Sequence, residues 1–205
     1  MRLWTFIASV CVLLVSGCSS SIHPLLTDAQ LAHDIELNGT WIQFDAPDTY
    51  RIPNFICEGF DDNSRYDVTL LPETKTASKE TRGKQIPREY EMRIGKLGGQ
   101  HYLQLARSKQ ISGGPAFLEG VVTYTWAKLA LKDDVLRIYR VDDQAVENLL
   151  PKSGLAHLIH KPSDLARNIV ITESTAKLQA FIGKHHAKLF STTPLTFRRK
   201  PKDRG

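Results

Sequence analysis

Alternation of apolar and polar residues with a period of two is the feature that most limits what this chain can fold into. In the segment 66–70, for example, Tyr66, Val68 and Leu70 are separated by single polar residues. This spacing places the apolar side chains on one face of a β-strand. The candidate strands, including short β-branched or apolar runs, are 39–45, 66–70, 90–94, 101–107, 121–131, 135–141, 168–172 and 195–199. With a tight turn expected at 132–134, these strands predict a mainly β protein with minor α content, built as an antiparallel β-barrel or sandwich.

The C-terminal third changes to helical spacing and predicts two helices. Asp142 or Asp143 can cap a first helix that ends before Pro151, because proline disrupts a helix interior. Thr172 can cap a second helix, where Glu173 in the first turn is favourable against the helix dipole. One face of this second helix carries Leu178, Phe181, Ile182, His185 and Leu189. The pattern therefore predicts a C-terminal amphipathic helix before the last strand.

The N-terminal segment has the features of a targeting sequence. Arg2 precedes an apolar run over residues 3–15, which is shorter than the ~20 residues of a bilayer-spanning helix and suits the apolar part of a secretory signal. Residues 15–18, Val-Ser-Gly-Cys, then resemble the lipobox of bacterial lipoproteins. The resemblance implies a thioether lipid on Cys18, cleavage before it and acylation of the new amino terminus. The alternatives are an ordinary secretory signal that contains a cysteine and an uncleaved membrane helix.

The same resemblance sets the expected organisation and location. Ser19 follows the cysteine at a position where Asp indicates retention in the inner membrane, so the resemblance favours the periplasmic face of the outer membrane. The chain is expected to be held in the cell envelope by the lipid on Cys18. The expected parts are a signal peptide (1–17), a lipidated tether with a short helix (18–36), a single β-rich domain (37–199) and a basic tail (200–205).

The cysteines exclude a disulfide framework. Cys11 would leave with the signal and Cys18 would carry lipid, so Cys57 would remain alone even in an oxidising compartment. Cys57 is expected to be a buried, unreactive thiol, with pairing between molecules as the alternative.

The positive charge is concentrated at the C-terminus. The chain has 27 Lys and Arg against 22 Asp and Glu. The tail contributes Arg198, Arg199, Lys200, Lys202 and Arg204 against one aspartate. The rest of the domain is close to neutral, which argues against nucleic-acid binding. The tail is expected either to meet a protein partner or an anionic envelope surface, or to be a solvated terminus.

Motifs for catalysis and metal binding are present only in fragments. Ser174 and Lys177 match the S-x-x-K nucleophile motif of penicillin-binding proteins and class A β-lactamases. In that family the motif comes first in a larger domain, whereas here it comes last, where Ser174 suits a helix start. His157 and His160 could share a helix face, and His185 adjoins another histidine, but zinc needs three or four convergent ligands. No catalytic residue, metal site or cofactor is therefore expected.

One resemblance bears on the fold and the function. Gly39, Thr40 and Trp41 resemble the G-x-W that opens the first strand of lipocalins, and a helix followed by a last strand ending in Arg198 and Arg199 is similar to that family's order. The expected helical insertion at 143–166 departs from it. The alternative is that Trp41 is a core residue at a strand start. The segment 135–205 also resembles uncharacterised envelope lipoproteins.

The first expectation for function is a non-catalytic interaction or assembly accessory at the membrane surface. The lipocalin resemblance implies an alternative, a calycin-like carrier of a small apolar ligand or lipid. In that case Trp41, Tyr124 and Trp126 would line the wall or floor of the barrel. An envelope hydrolase is a third and weaker class.

Overall fold

The fold is that of a computed structural model, in which the structure describes residues 19–44, 54–59, 64–70, 88–107, 121–163 and 166–201. The strands within these residues are β1 (Ser19–Ser21), β2 (Gly39–Gln43), β3 (Phe55–Gly59), β4 (Arg65–Leu70), β5 (Arg88–Leu97), β6 (Gln100–Arg107), β7 (Tyr124–Lys132), β8 (Val135–Arg140), β9 (His157–Ser163), β10 (Ala166–Ile171) and β11 (Leu195–Arg199). The helices are α1 (Asp143–Ser153) and α2 (Thr175–Leu189), and one 3-10 turn spans Asp28–Gln30. Neither helix of this described part is long and apolar enough to cross a bilayer.

Eight of the strands close into an antiparallel β-barrel. Their order around the ring is β2, β3, β4, β5, β6, β7, β8 and β11, and β11 pairs with β2 to complete it. Every neighbouring pair in the ring is antiparallel. The predicted fold class is confirmed, and of the two architectures left open the structure shows the barrel. The helix predicted before the last strand is α2.

The hairpin turns explain why consecutive strands pair. Asp133 and Asp134, between β7 and β8, have φ of 53° and 56°. Both central residues of a two-residue type I′ turn need positive φ, and aspartate tolerates that conformation better than most residues. The tight turn predicted at 132–134 is thus confirmed.

Residues 19–21, part of the segment 18–36 expected to be a lipidated tether, instead enter the fold as β1. Ser21 lies opposite Tyr124 in an antiparallel pairing with β7, and Ser19 lies opposite Ile169 in a parallel pairing with β10. All three serines of β1 are buried. The tether prediction is wrong for these residues because a run of small polar residues carries no strand signal. Two strands distant in sequence offer their backbone groups to it.

The expected helical insertion at 143–166 contains a strand as well as a helix. β9 pairs antiparallel with β10, and the three strands β1, β10 and β9 extend the barrel wall beyond β7. His157 and His160 therefore lie on a strand and not on one face of a helix.

The first helix runs further than predicted. Asp142 caps α1 as expected, since its Oδ1 accepts a hydrogen bond from the backbone N of Ala145 at 3.1 Å. The helix continues through Pro151, which lies in the last turn, where a missing N–H removes a single bond. Gly154 then ends it with a φ of 69°.

The second helix begins later than predicted. Its N-cap position is Ser174 and not Thr172. The predicted apolar face is confirmed for Leu178, Phe181, Ile182 and Leu189, which are buried. His185 is half-buried, with its ring centre 5.1 Å from that of Phe181.

Apolar side chains form two clusters on opposite faces of the barrel wall. The inner cluster lies within the barrel and includes Trp41, Phe55, Tyr66, Met92, Leu129 and Phe197. The outer cluster lies between the wall and the two helices and includes Leu25, Tyr102, Trp126, Ile171, Phe181 and Phe190. Because successive residues of a strand point to opposite faces, neighbouring residues of β6 and β7 contribute to different clusters.

Candidate functional site: the barrel interior

One end of the barrel, called the sealed end below, is covered by residues 31–38, which precede β2. Trp41 donates from Nε1 to the backbone O of Leu37 at 2.8 Å. The Tyr66 hydroxyl donates to the backbone O of Ile35 at 2.9 Å and accepts from the backbone N of Leu37 at 3.1 Å. Two interior aromatic side chains thus fix the covering segment through its main chain.

Arg199, at the end of β11, contacts the same end from the outer side. Its guanidinium lies 4.7 Å from the centre of the Trp41 ring. Its Nε donates to Oδ1 of Asp134 at 2.9 Å, and other nitrogens donate to the backbone O of Glu36 at 2.7 Å and to the backbone O of Asn38. A planar guanidinium can serve several acceptors and stack on a ring at once. The two sequence features that carried the lipocalin resemblance, Trp41 and the last-strand arginine, therefore meet in space.

The opposite end of the barrel, called the far end below, carries half-buried apolar side chains. The side chains that pack against the inner cluster here are only half-buried: Leu70, Leu105, Ile138 and Leu195. Tyr90 on β5 belongs to the inner cluster and is 4% exposed. Its buried hydroxyl has no hydrogen-bond partner among the described residues. An unpaired buried hydroxyl is unfavourable by ~1–3 kcal/mol, so this group marks a place where a partner from outside would be stabilising.

Cys57 also points into the barrel, and it is unsuited to chemistry. It is buried in the inner cluster and forms no disulfide. Burial raises the pKa of its thiol to about 12, against a smaller lowering by Arg199. The thiolate, which is the reactive form, is therefore scarce at neutral pH.

The structure does not bring the three predicted ligand-binding residues together. Trp41 lies inside the barrel at the sealed end. Trp126 lies in the outer cluster, where its ring meets that of Phe190. Tyr124 precedes Trp126 by two positions on β7, so it shares the outer face and is half-buried there. Only Trp41 faces the interior.

Sequence reasoning missed a row of buried polar groups beneath the helices. Gln104 on β6 accepts from the backbone N of Leu26 at 3.0 Å through Oε1, but its Nε2 has no partner within the described chain. Trp126 lies directly opposite on β7, and neither its Nε1 nor the Oγ of Ser19 on β1 has a hydrogen-bond partner in the part of the chain that the structure describes. At an alternating outward position, Gln104 resembles any solvent-facing residue. Only the position of residues 19–31 and the helices shows that it is buried.

The S-x-x-K residues lie at the surface. Lys177 pairs with Glu173, with 3.0 Å between Nζ and Oε2. An open cleft of about 270 Å³ runs beside this helix, lined by Ser153, Gly154, Leu155, Lys177, Ala180, Phe181, Lys184 and His185. Ser174 does not line it. In the described ranges no group of three or more His, Cys, Asp or Glu side chains is placed to hold a metal ion.

The basic tail is engaged where the structure describes it. Arg198 lies over the Phe44 ring at 4.6 Å, and Arg199 is held by the contacts given above. The backbone N of Lys200 donates to the backbone O of Thr40 at 2.8 Å. Lys202, Arg204 and the lipidation residue Cys18 lie outside the described residues.

Comparison with known proteins adds no relative to this picture. No family model, curated protein or solved structure matches the chain.

Proposed function

We propose that the barrel binds a small, largely apolar ligand through its far end, as a carrier or binding protein. The observation that carries the proposal is the buried hydroxyl of Tyr90, which has no partner among the described residues and lies toward the half-buried apolar side chains of the far end. An eight-stranded barrel either is filled by its own side chains or holds one small ligand. Here the sealed end is covered by residues 31–38, and the far end carries half-buried apolar side chains.

The chemistry of the far end limits the class of ligand. Leu70, Leu105, Ile138 and Leu195 offer only apolar contact. Tyr90 offers one hydroxyl, which can donate to a carbonyl or a carboxylate. Ligand sites are commonly apolar with few polar groups that set orientation. The best match is an acyl chain with a single carboxyl or carbonyl group.

Titration with a dansylated undecanoic acid tests this function. Tyr90→Phe should weaken binding about three- to tenfold, as expected for loss of one hydrogen bond. Tyr139→Phe is the matched control, because Tyr139 lies on the outer face of the barrel near Lys128. No binding by the wild type, or equal weakening in both variants, would remove the proposal.

We also propose that the protein is anchored to an envelope membrane by lipid on Cys18. The proposal is supported by the position of the lipobox-like residues 15–18 directly after an apolar signal-like run. Several acyl chains hold a protein firmly at a bilayer, whereas one holds it only marginally.

Metabolic labelling with an alkyne fatty acid tests the anchor. Cys18→Ala should abolish the label, and Cys57→Ala, which removes the buried thiol, should retain it. A Cys18→Ala protein that still carries label would disprove the assignment. The interaction or assembly role stays a prediction, to be tested by pull-down from membrane extracts.

A further inference from the structure

β9 forms the outer edge of the sheet extension and exposes two consecutive apolar residues, whose side chains point to opposite faces of the sheet. Leu158 is 53% exposed and Ile159 is 41% exposed. Within the described residues β9 pairs only with β10, so its other edge is unpaired. Large apolar side chains on an open sheet edge mark a surface that meets another molecule or a membrane.

The register of the sheet places this pair beside the proposed anchor. Ile159 lies opposite Ile169, which lies opposite Ser19. Leu158 lies opposite Val170, which lies opposite Ser20. Neighbouring strands are ~4.8 Å apart, so the Cα atoms of Ile159 and Ser19 are separated by about 10 Å.

Cys18, the proposed anchor, directly precedes β1 in the sequence, so no linker separates the two. Ser19 is 2% exposed and already belongs to β1. Cys18 is joined to it by one peptide bond, with Cα atoms about 3.8 Å apart. Lipid on Cys18 would therefore hold the bilayer surface within reach of β1 and of the neighbouring strands. A long tether would impose no such restriction.

We propose that the β9 edge enters the phospholipid interface edge-on, so that Leu158 on one face of the sheet and Ile159 on the other both contact lipid and fix one orientation of the barrel on the membrane. The inference rests on the proposed lipid anchor, because the anchor brings the membrane to this edge. Apolar side chains of peripheral segments enter the boundary between headgroups and acyl chains. The attached lipid removes most of the entropic penalty of bringing the surface to them, so two side chains suffice.

Depth-dependent quenching of tryptophan fluorescence tests the orientation. Full-length protein, processed and lipidated in cells, is placed in vesicles of phosphatidylethanolamine and phosphatidylglycerol with brominated acyl chains. Ile159→Trp is compared with Ile42→Trp, a matched control on β2 at the other side of the barrel, where Ile42 is 38% exposed. Leu158→Trp provides a second test position. Both endogenous tryptophans of the domain, Trp41 and Trp126, are buried and common to all variants.

Quenching at positions 158 and 159 should be about threefold stronger than at position 42, as expected for side chains that lie ~5–10 Å into the interface. Equal quenching at the three positions, with the fatty-acid label present on Cys18, overturns this inference alone. Absence of the label overturns the anchor, and this inference with it. A dimer that Ile159→Asp dissociates and that protects position 159 from bromine overturns the inference in favour of a second copy of the chain.

Discussion

Tyr66 and Tyr90 lie on neighbouring strands, β4 and β5, and both are buried inside the barrel. At the sealed end the Tyr66 hydroxyl bonds to two main-chain groups of the covering segment. Toward the far end the Tyr90 hydroxyl has no partner among the described residues. The same residue type thus stabilises the fold at one end and leaves an unused hydrogen-bonding group at the other. Under the proposed function, this difference separates the part of the barrel that holds the fold together from the part that would take a ligand.

The largest contrast is expected when one side chain is truncated at each end. Trp41→Ala should lower the free energy of unfolding by about 3–5 kcal/mol, since it removes a buried ring and its bond to Leu37. Leu105→Ala, at a half-buried position, should lower it by only about 1–2 kcal/mol. Urea denaturation followed by circular dichroism measures both. A loss at Leu105 equal to that at Trp41 would show that the far end is packed as firmly as the sealed end.

The sharpest contrast uses one substitution at two tyrosines. Tyr66→Phe leaves the backbone O of Ile35 and the backbone N of Leu37 without this partner and should destabilise the protein by about 1–3 kcal/mol. Tyr90→Phe removes an unpaired hydroxyl and should leave the ligand-free stability unchanged or slightly higher. Matched urea titrations in ligand-free buffer test the pair. A comparable loss in both variants would contradict the assignment of Tyr90 as an unused group.

A smaller effect is expected when the contacts of Arg199 at the sealed end are weakened. Arg199→Lys keeps the charge but loses the planar contacts to Trp41 and to the covering segment, so it should lower stability by ~1 kcal/mol. Arg198→Lys is the control, since Arg198 is exposed and lies over the ring of Phe44. Thermal unfolding of the two variants separates the cases. Equal midpoints would mean that charge alone matters at position 199.

The smallest expected effect is a dependence of stability on pH through Asp34, which lies in the covering segment 31–38. A hydrogen bond from Lys96, with a further contact from His101, lowers the pKa of Asp34 from 3.8 to about 2. Because the folded state holds the carboxylate form, this contact stabilises the fold above pH 3.8 and is lost as the pH falls towards about 2. Asp34 is half-exposed, so screening by solvent keeps the contribution small. Denaturation of wild type and Asp34→Asn at several pH values should show the wild type losing more stability over that interval, and parallel losses would contradict it.

The barrel strands were predictable where each presents one face to the interior. The barrel buries one face of each strand, so the apolar alternation around Tyr66 and Tyr90 and in β11 matches the strands of the structure. β3 was not predicted, since Phe55, Cys57 and Gly59 form a short run without a clear polar alternation. β1 was missed for a stronger reason, because its burial depends on partners about 100 and 150 residues away.

The candidate site was harder to predict from the sequence than the fold. Trp41, predicted to bind a ligand, lies inside the barrel, but its ligand-binding role stays a prediction. Trp126 could not be assigned to the outer face without knowing the register of β7. Tyr90 could not be distinguished from any other core position of a strand, because what sets it apart is a hydroxyl without a hydrogen-bond partner among the described residues. The role of Arg199 needed the sealed end in three dimensions, since Trp41 and Arg199 are far apart in sequence.

The parallel pairing of β1 with β10 also bears on the order of events as the chain is made. A polypeptide emerges from the ribosome, or from a translocation channel, with its N-terminus first. After the Ser19–Ser21 strand is made, on the order of 150 further residues must follow before Ile169 is available to pair with it. A chain arrested before residue 166 has β7 but not β10 available to pair with β1. The parallel pairing of β1 can therefore form only after the C-terminal third has been made.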